Sequence, residues 1–169
     1  SECLELPVEA SVWVPSEERS EAIGANIQKL WEEATSDQKK LIQGGSVSGG
    51  NGAVRTWEIP GDVKSVQLVA WSKDTSKFSC KMQIEVLQGP NNKRQDIFLQ
   101  CGGSTQPFHS VLQTPGPGWV IRVFNKKFVE DGLFELAIMP NEYDGDEPAK
   151  LSSNDAVVTS IKQEKQWWQ

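Results

Sequence analysis

Side chains that could catalyse a reaction are few in this sequence, and they form no known motif. His109 is the only histidine among the 169 residues, and no Gly-x-Ser-x-Gly sequence offers it a nucleophilic serine. No Cys-x-x-Cys or His-x-x-x-His spacing is present, so the sequence predicts no zinc site. We therefore expect His109 to be a structural or surface residue and the chain not to be an enzyme.

One acidic segment has the composition of a cation-binding loop. Asp144 and Asp146 have the Asp-x-Asp spacing, and Glu147 follows, but the full calcium-loop pattern is missing. The segment is better interpreted as a solvated acidic turn. We predict no metal site.

The three cysteines, Cys3, Cys80 and Cys101, are too few for a disulfide framework. Cys80 and Cys101 fall in predicted strands, where each is either a buried thiol or one half of a bridge across a sheet. Cys3 lies in an N-terminal extension and is the most accessible thiol. The cofactor prediction is none, with a thioether-linked chromophore on Cys3 as the alternative.

Tryptophan is unusually frequent, with seven in the chain. Trp57, Trp71 and Trp119 fall within predicted strands, as core or sheet-face residues. Four others lie outside the strands, at positions 13, 31, 167 and 168. Because aromatic side chains often anchor protein interfaces, their placement favours a protein that acts by binding other proteins.

The charge is divided unevenly along the chain. Of the net charge of −6, residues 1–52 carry −5, residues 53–139 carry +2 and residues 140–169 carry −3. Acidic extensions on a nearly neutral body argue against binding to nucleic acid, which needs a basic face, and to anionic membrane surfaces. No apolar run is long enough to span a bilayer.

The segment that must position these residues is 53–140, where hydrophobic residues recur with a period of two. In one run, for example, Met82, Ile84 and Val86 alternate with polar residues. Turn residues separate seven predicted strands, near 53–59, 64–71, 80–88, 94–100, 107–113, 118–125 and 132–139. This spacing predicts a mainly β domain, an antiparallel, jelly-roll-like β-sandwich.

Residues 1–52 are predicted to form an extended arm with an amphipathic helix and a Gly-rich hinge. Ser16 is a suitable N-cap for a helix over 16–34. Its apolar face either packs on the chain's own domain or docks on another subunit. A second, shorter helix is predicted to begin at Ser36 and to run through Ile42, before the Gly-rich connector.

Residues 141–169 are predicted to form an extended acidic tail that ends in two adjacent tryptophans. Such a pair would be a solubility liability in water, so we expect it to bind something. The predicted partner-binding residues therefore come from both extensions: Trp13, Ile23, Ile27, Leu30, Trp31, Trp167 and Trp168.

The β region also resembles a known kind of protein. The resemblance rests on Gly49-Gly50, Val54-Arg55-Thr56-Trp57, Leu87-Gln88-Gly89-Pro90-Asn91-Asn92, Gln106-Pro107-Phe108, Thr114-Pro115-Gly116 and Ile121-Arg122-Val123-Phe124-Asn125. These turn and strand motifs resemble β-sandwich chloroplast proteins of red-lineage algae that accompany light-harvesting complexes.

The resemblance implies a non-catalytic linker subunit of a phycobilisome or a photosystem–antenna complex. Its arms would bridge protein subunits on the stromal side of the thylakoid membrane, without spanning it. A cleaved plastid-targeting peptide would then explain the missing initiator Met, which could also have been removed alone.

A second hypothesis is a carbohydrate-binding β-sandwich module. Such modules bind sugars through exposed tryptophans, and Trp57, Trp71 or Trp119 would serve here. The two aromatic-bearing extensions argue against this hypothesis.

Overall fold

The computed structural model describes residues 10–43, 54–71, 80–89, 92–101, 107–126, 133–148, 150–151 and 153–154. Within these ranges the chain has one helix and nine strands. They are α1 (Glu17–Glu33), β1 (Lys39–Gln43), β2 (Val54–Ile59), β3 (Val63–Trp71), β4 (Cys80–Gln88), β5 (Lys93–Cys101), β6 (Phe108–Gln113), β7 (Trp119–Asn125), β8 (Leu133–Tyr143) and β9 (Ser153–Asn154).

The strands form two antiparallel sheets. One has the order β1-β8-β3-β6, and the other has the order β5-β4-β7-β2-β9. The first eight strands are thus arranged as in an eight-stranded jelly roll, with β9 added beside β2. The predicted antiparallel sandwich is confirmed, and the seven predicted strands correspond to β2–β8.

The core lies between the sheets and follows from the period-two pattern. In β7, Trp119, Ile121 and Val123 point inward, while Val120 and Arg122 alternate with them on the outer side. The largest side chains with less than 2% exposure are Trp57, Phe134, Ile42, Leu68, Met82, Ile84, Ile121, Leu136 and Ile138. Removal of this apolar surface from water is the main contribution to stability.

The predicted second helix is wrong, because residues 39–43 form strand β1 at the edge of the four-stranded sheet. Ile42 lies opposite Phe134 and is fully buried, whereas Leu41 on the other side of the strand is half exposed. The side-chain amide of Asn125 donates a hydrogen bond of 3.2 Å to the Ile42 carbonyl. Burial in the sandwich therefore outweighs the local helical pattern.

Parts of both predicted extensions belong to the sandwich. Strand β8 continues to Tyr143, beyond the predicted end at residue 139. Leu151 is buried in the core, and β9 pairs with β2. The division into arm, body and tail stays a prediction. Strand β1 lies in the predicted arm and β9 in the predicted tail, so residues of both contribute to the sheets.

The predicted first helix is confirmed as α1. The Ser16 hydroxyl caps its start by accepting a hydrogen bond of 3.3 Å from the Arg19 backbone N–H. Glu17 and Glu18 occupy the first turn, where the helix dipole favours negative charge. The helix ends at Glu33, one residue before Ala34, whose N–H bonds the Leu30 carbonyl.

Candidate functional site

Helix α1 packs on the outer face of the four-stranded sheet. Ile27 and Ala34 are buried against Val69, Ala137 and Met139, and Leu30 and Trp31 complete the same cluster. Three of the predicted partner-binding residues, Ile27, Leu30 and Trp31, thus contact the chain's own sheet. Of the two alternatives for this apolar face, the structure shows packing on the chain's own domain.

The helix contacts the sheet only through its C-terminal half. Residues 10–26, which we call the projecting arm, are exposed throughout except for the half-buried Pro15. Two predicted partner-binding residues lie here: Trp13 is 57% exposed and Ile23 is 49% exposed. The Arg19 guanidinium lies 4.1 Å from the centroid of the Trp13 ring and leaves the rest of that ring in water.

Trp167, Trp168 and Cys3 lie outside the described residues. The predicted roles of the tryptophan pair and of a chromophore on Cys3 therefore stay predictions.

The outer face of the five-stranded sheet, which we call the open face, is the second candidate surface. Within the described part of the chain, the one helix lies on the opposite sheet. Residues that lie opposite one another in adjacent strands share a face, so the strand register defines rows of side chains. One row is Phe98, Gln83, Phe124 and Val54, and the next is Asp96, Glu85, Arg122 and Thr56.

The second row is a network of charges around the nearly buried Glu85. The Lys93 ammonium lies 2.6 Å from Glu85 and 2.8 Å from Asp96, and the Arg122 guanidinium lies 3.6 Å from Glu85. The Gln83 amide donates hydrogen bonds to Asp96 at 2.8 Å and to Glu85 at 3.3 Å. Hydrogen bonds from Lys93 and then Gln83 hold the pKa of Asp96 below its usual value.

Two polar atoms of this row lack a partner among the described residues. Thr56, which is 6% exposed, has an unbonded hydroxyl oxygen, and the Arg122 Nε is also buried without an acceptor. Buried polar atoms are normally hydrogen-bonded. Both atoms are out of contact with water, so this row contains two buried polar groups without a hydrogen bond among the described residues.

Two clefts lie at opposite ends of the open face. The Phe98 cleft has a volume of about 320 Å³ and is lined by Lys81, Met82, Phe98, Leu99, Gln100 and Lys126. The other cleft, of about 370 Å³, is lined in part by Glu58, Leu87, Gly89, Gly118 and Arg122. Gly89 and Gly118 both have positive φ and are joined by a backbone hydrogen bond of 2.8 Å, so larger residues there would be strained.

The candidates for catalysis and metal binding are dispersed. His109 lies on β6, where its Nε2 is 3.2 Å from the side-chain oxygen of Gln67, and partial burial holds the pKa of His109 below its usual value. Asp144 forms an ion pair with Lys64. Among the residues that the structure describes, no three His, Cys, Asp or Glu side chains are grouped so that they could hold a metal ion.

The proposed sugar-binding role of the strand tryptophans is wrong for two of them. Trp57 is fully buried in the core and Trp119 is 9% exposed, with its indole N–H bonded to the Pro115 carbonyl at 2.9 Å. Neither can present a ring face to a sugar. The backbones of Cys80 and Cys101 lie directly opposite each other in the β4–β5 pair.

Sequence reasoning missed the open face. Its residues are the polar and aromatic positions that alternate with the core residues of β4, β5 and β7. This alternation is visible in the sequence, but which residues become neighbours depends on strand order and register.

Comparison with solved structures gives distant likenesses, among them the following two. The Yersinia pseudotuberculosis-derived mitogen is similar at 15% identity and a TM-score of 0.36, over 67% of this chain and 89% of that chain. A structure described as "CBM4 structure and function" is similar at 13% identity and a TM-score of 0.28, over 57% and 68%. Likenesses at this level say nothing about function. No curated protein sequence matches the chain.

A protein-family model is informative where these structures are not. Residues 1–140 match the model described as "Diatom pyrenoid shell protein". The assignment to phycobilisome or antenna linkers is therefore wrong. The family is consistent with the expected chloroplast setting but gives no support for a position on the thylakoid.

In the described residues no helix is both long and apolar enough to cross a membrane. The match spans most of the sequence, and the chain belongs to the diatom pyrenoid shell protein family.

Proposed function

We propose that this chain is a non-catalytic structural subunit of the protein shell of the pyrenoid, inside the chloroplast, where it binds other shell subunits. The observation that carries the proposal is the family match, which spans residues 1–140. That range includes the projecting arm, α1 and the sandwich through the first eight residues of β8. It therefore covers both surfaces identified above.

The distribution of exposed apolar side chains supports a role in assembly. Among the described residues, the large hydrophobic side chains that remain exposed fall into two groups. Four lie on the projecting arm, at Val12, Trp13, Val14 and Ile23, and three lie on edge strands, at Leu41 of β1, Phe98 of β5 and Val111 of β6. Sheet edges with unpaired backbone groups are surfaces to which another chain can add.

The position of the protein in the cell tests this proposal. A full-length fusion to a fluorescent protein, expressed in a diatom behind a plastid-targeting sequence, should form a closed outline around the pyrenoid. The control is the fluorescent protein alone behind the same targeting sequence, which should fill the plastid. A fusion that spreads through the plastid or follows the thylakoids would refute the shell role.

A second candidate function is carbohydrate binding by the open face. Phe98 is 68% exposed and shares a row with the partly exposed Phe124, and the polar side chains of Lys81 and Gln100 line the cleft beside it. Sugar rings stack on aromatic side chains while their hydroxyls bond to polar groups. Affinity electrophoresis in gels that contain soluble polysaccharides should then retard the wild-type chain more than Phe98→Ala. Equal mobility of the two in every gel would eliminate this function.

A further inference from the structure

We propose that the projecting arm of one copy docks into the Phe98 cleft of a second copy, with Trp13 as the anchor. The inference rests on the proposed shell role and specifies which surfaces of two subunits meet. Trp13 and Phe98 are each more than half exposed, which for large aromatic side chains leaves apolar area in water that a contact would remove.

The two surfaces are complementary in chemistry. Phe98 supplies the exposed apolar side chain of the cleft, whereas Met82 and Leu99, which also line it, pack into the core. The cleft volume of about 320 Å³ is at the small end of the range for binding pockets. A cleft of this size suits one large side chain better than an extended ligand. Trp13 stands between two exposed valines before α1, and the Arg19 guanidinium covers one face of its ring, so the other face is available to a partner.

The charges of the two surfaces also match. Lys81 and Lys126 line the cleft. The backbone N–H of Lys126 bonds to the carbonyl of Lys81 at 2.9 Å, so the two lysines are neighbours, one near the start of β4 and one just after β7. The projecting arm, by contrast, holds three glutamates and one arginine. Opposite charges steer association and select the register of the contact.

The arm cannot reach the cleft of its own copy. Helix α1 lies on the outer face of the four-stranded sheet, whereas Phe98 lies on the outer face of the other sheet. Sheets pack roughly 10 Å apart, so a helix layer and the far outer face are separated by more than about 20 Å. Trp13 precedes the Ser16 cap by three residues, which span about 10 Å when extended. The cleft must therefore belong to another molecule.

A contact of this kind joins two different surfaces of the same chain. Each copy would offer its arm from one side of the sandwich and its cleft on the other side, which makes the interface heterologous. Heterologous contacts add copies head to tail unless the rotation closes a ring. The same contact that joins two copies would therefore continue into an extended assembly.

Two single variants of the full chain test the contact. Trp13→Ser keeps the cleft but loses the anchor, and Phe98→Ser keeps the anchor but loses the cleft wall. Loss of an interface anchor typically costs about 2 kcal/mol or more, so each variant should need a roughly 30-fold higher concentration to associate in analytical ultracentrifugation. Gln95→Ser, an exposed change on the same strand as Phe98 that alters no charge, is the matched control and should associate as the wild type does.

Mixing the variants gives the decisive result. Together they contain one intact arm and one intact cleft, so the mixture should form 1:1 dimers at concentrations where each variant alone is monomeric. No dimer in the mixture, unaltered association of both variants, or a wild-type chain that stays monomeric would each overturn the inference. The shell role is judged separately by the outline around the pyrenoid, so the inference can fail while the proposed function stands.

Discussion

The Trp57→Ala variant should have a free energy of unfolding about 3–5 kcal/mol lower than that of the wild type. Trp57 is fully buried, lies opposite Ile121 in the β2–β7 pair and belongs to the main core cluster. Its truncation removes a large apolar surface and leaves a cavity. The strands around it cannot move in to fill this cavity, because hydrogen bonds to neighbouring strands on both sides hold β2 and β7 in place. Denaturant unfolding followed by far-UV circular dichroism measures the loss.

Two companion variants separate packing from polarity. The Trp57 indole N–H has no partner among the described residues, so Trp57→Phe removes an unsatisfied donor while it keeps an aromatic ring in the core. We expect Trp57→Phe to cost about 1–2 kcal/mol. Phe98→Ala, at an exposed position on β5 of the same sheet, should change the free energy of unfolding by less than about 0.5 kcal/mol. If Trp57→Ala and Phe98→Ala were equally stable, the core described above would be wrong.

The second large effect is expected for Ile27→Asp. Ile27 is 8% exposed and packs against Val69, Ala137 and Met139. A carboxylate there would be buried without a partner, so we expect the contact between α1 and the sheet to weaken by about 3 kcal/mol or more. Hydrogen exchange should show loss of protection throughout α1, while the strands of the sandwich stay protected.

The same helix provides the control for this variant. Ile23 lies one turn earlier, on the projecting arm, and is half exposed. Ile23→Asp makes the same chemical change outside the contact with the sheet, and exchange in the C-terminal half of α1 should remain as slow as in the wild type. Similar exchange in the two variants would mean that α1 is not held by the cluster around Ile27.

The outer faces of the two sheets carry different side chains, and this difference explains why α1 covers one of them and not the other. Residues on the outer face of β3 and β8 are small or apolar, as at Val69, Ala137 and Met139, and α1 removes them from water. The outer face of β4, β5 and β7 carries instead charged and amide side chains that bond to one another, as between Glu85, Lys93 and Asp96. On this face Phe98 is exposed to other molecules, whereas Gln83 and Glu85 are nearly buried among their bonded neighbours.

The turn motifs of this chain indicate its strand boundaries but not its family. Gly89-Pro90 and Pro115-Gly116 are strong turn signals, and they correctly delimit the strands on either side. The same signals recur wherever an antiparallel chain reverses direction, so they carry little information about the family. The resemblance to antenna linkers rested in part on them and was wrong, whereas the match over residues 1–140 identifies the pyrenoid shell family.

The local pattern of side chains was enough to predict the strands β2–β8, the cap at Ser16 and the helix that follows it. Hydrophobic period and capping chemistry act between residues that are near in sequence, so both can be recognised without the fold. Only the tertiary structure decided that residues 39–43 are a strand, that Ile27 faces the chain's own sheet and that Trp57 is in the core. It alone also brought Asp96, Glu85 and Arg122 from three strands into one row. These outcomes depend on strand order and register, which are set by burial between residues that are distant along the chain.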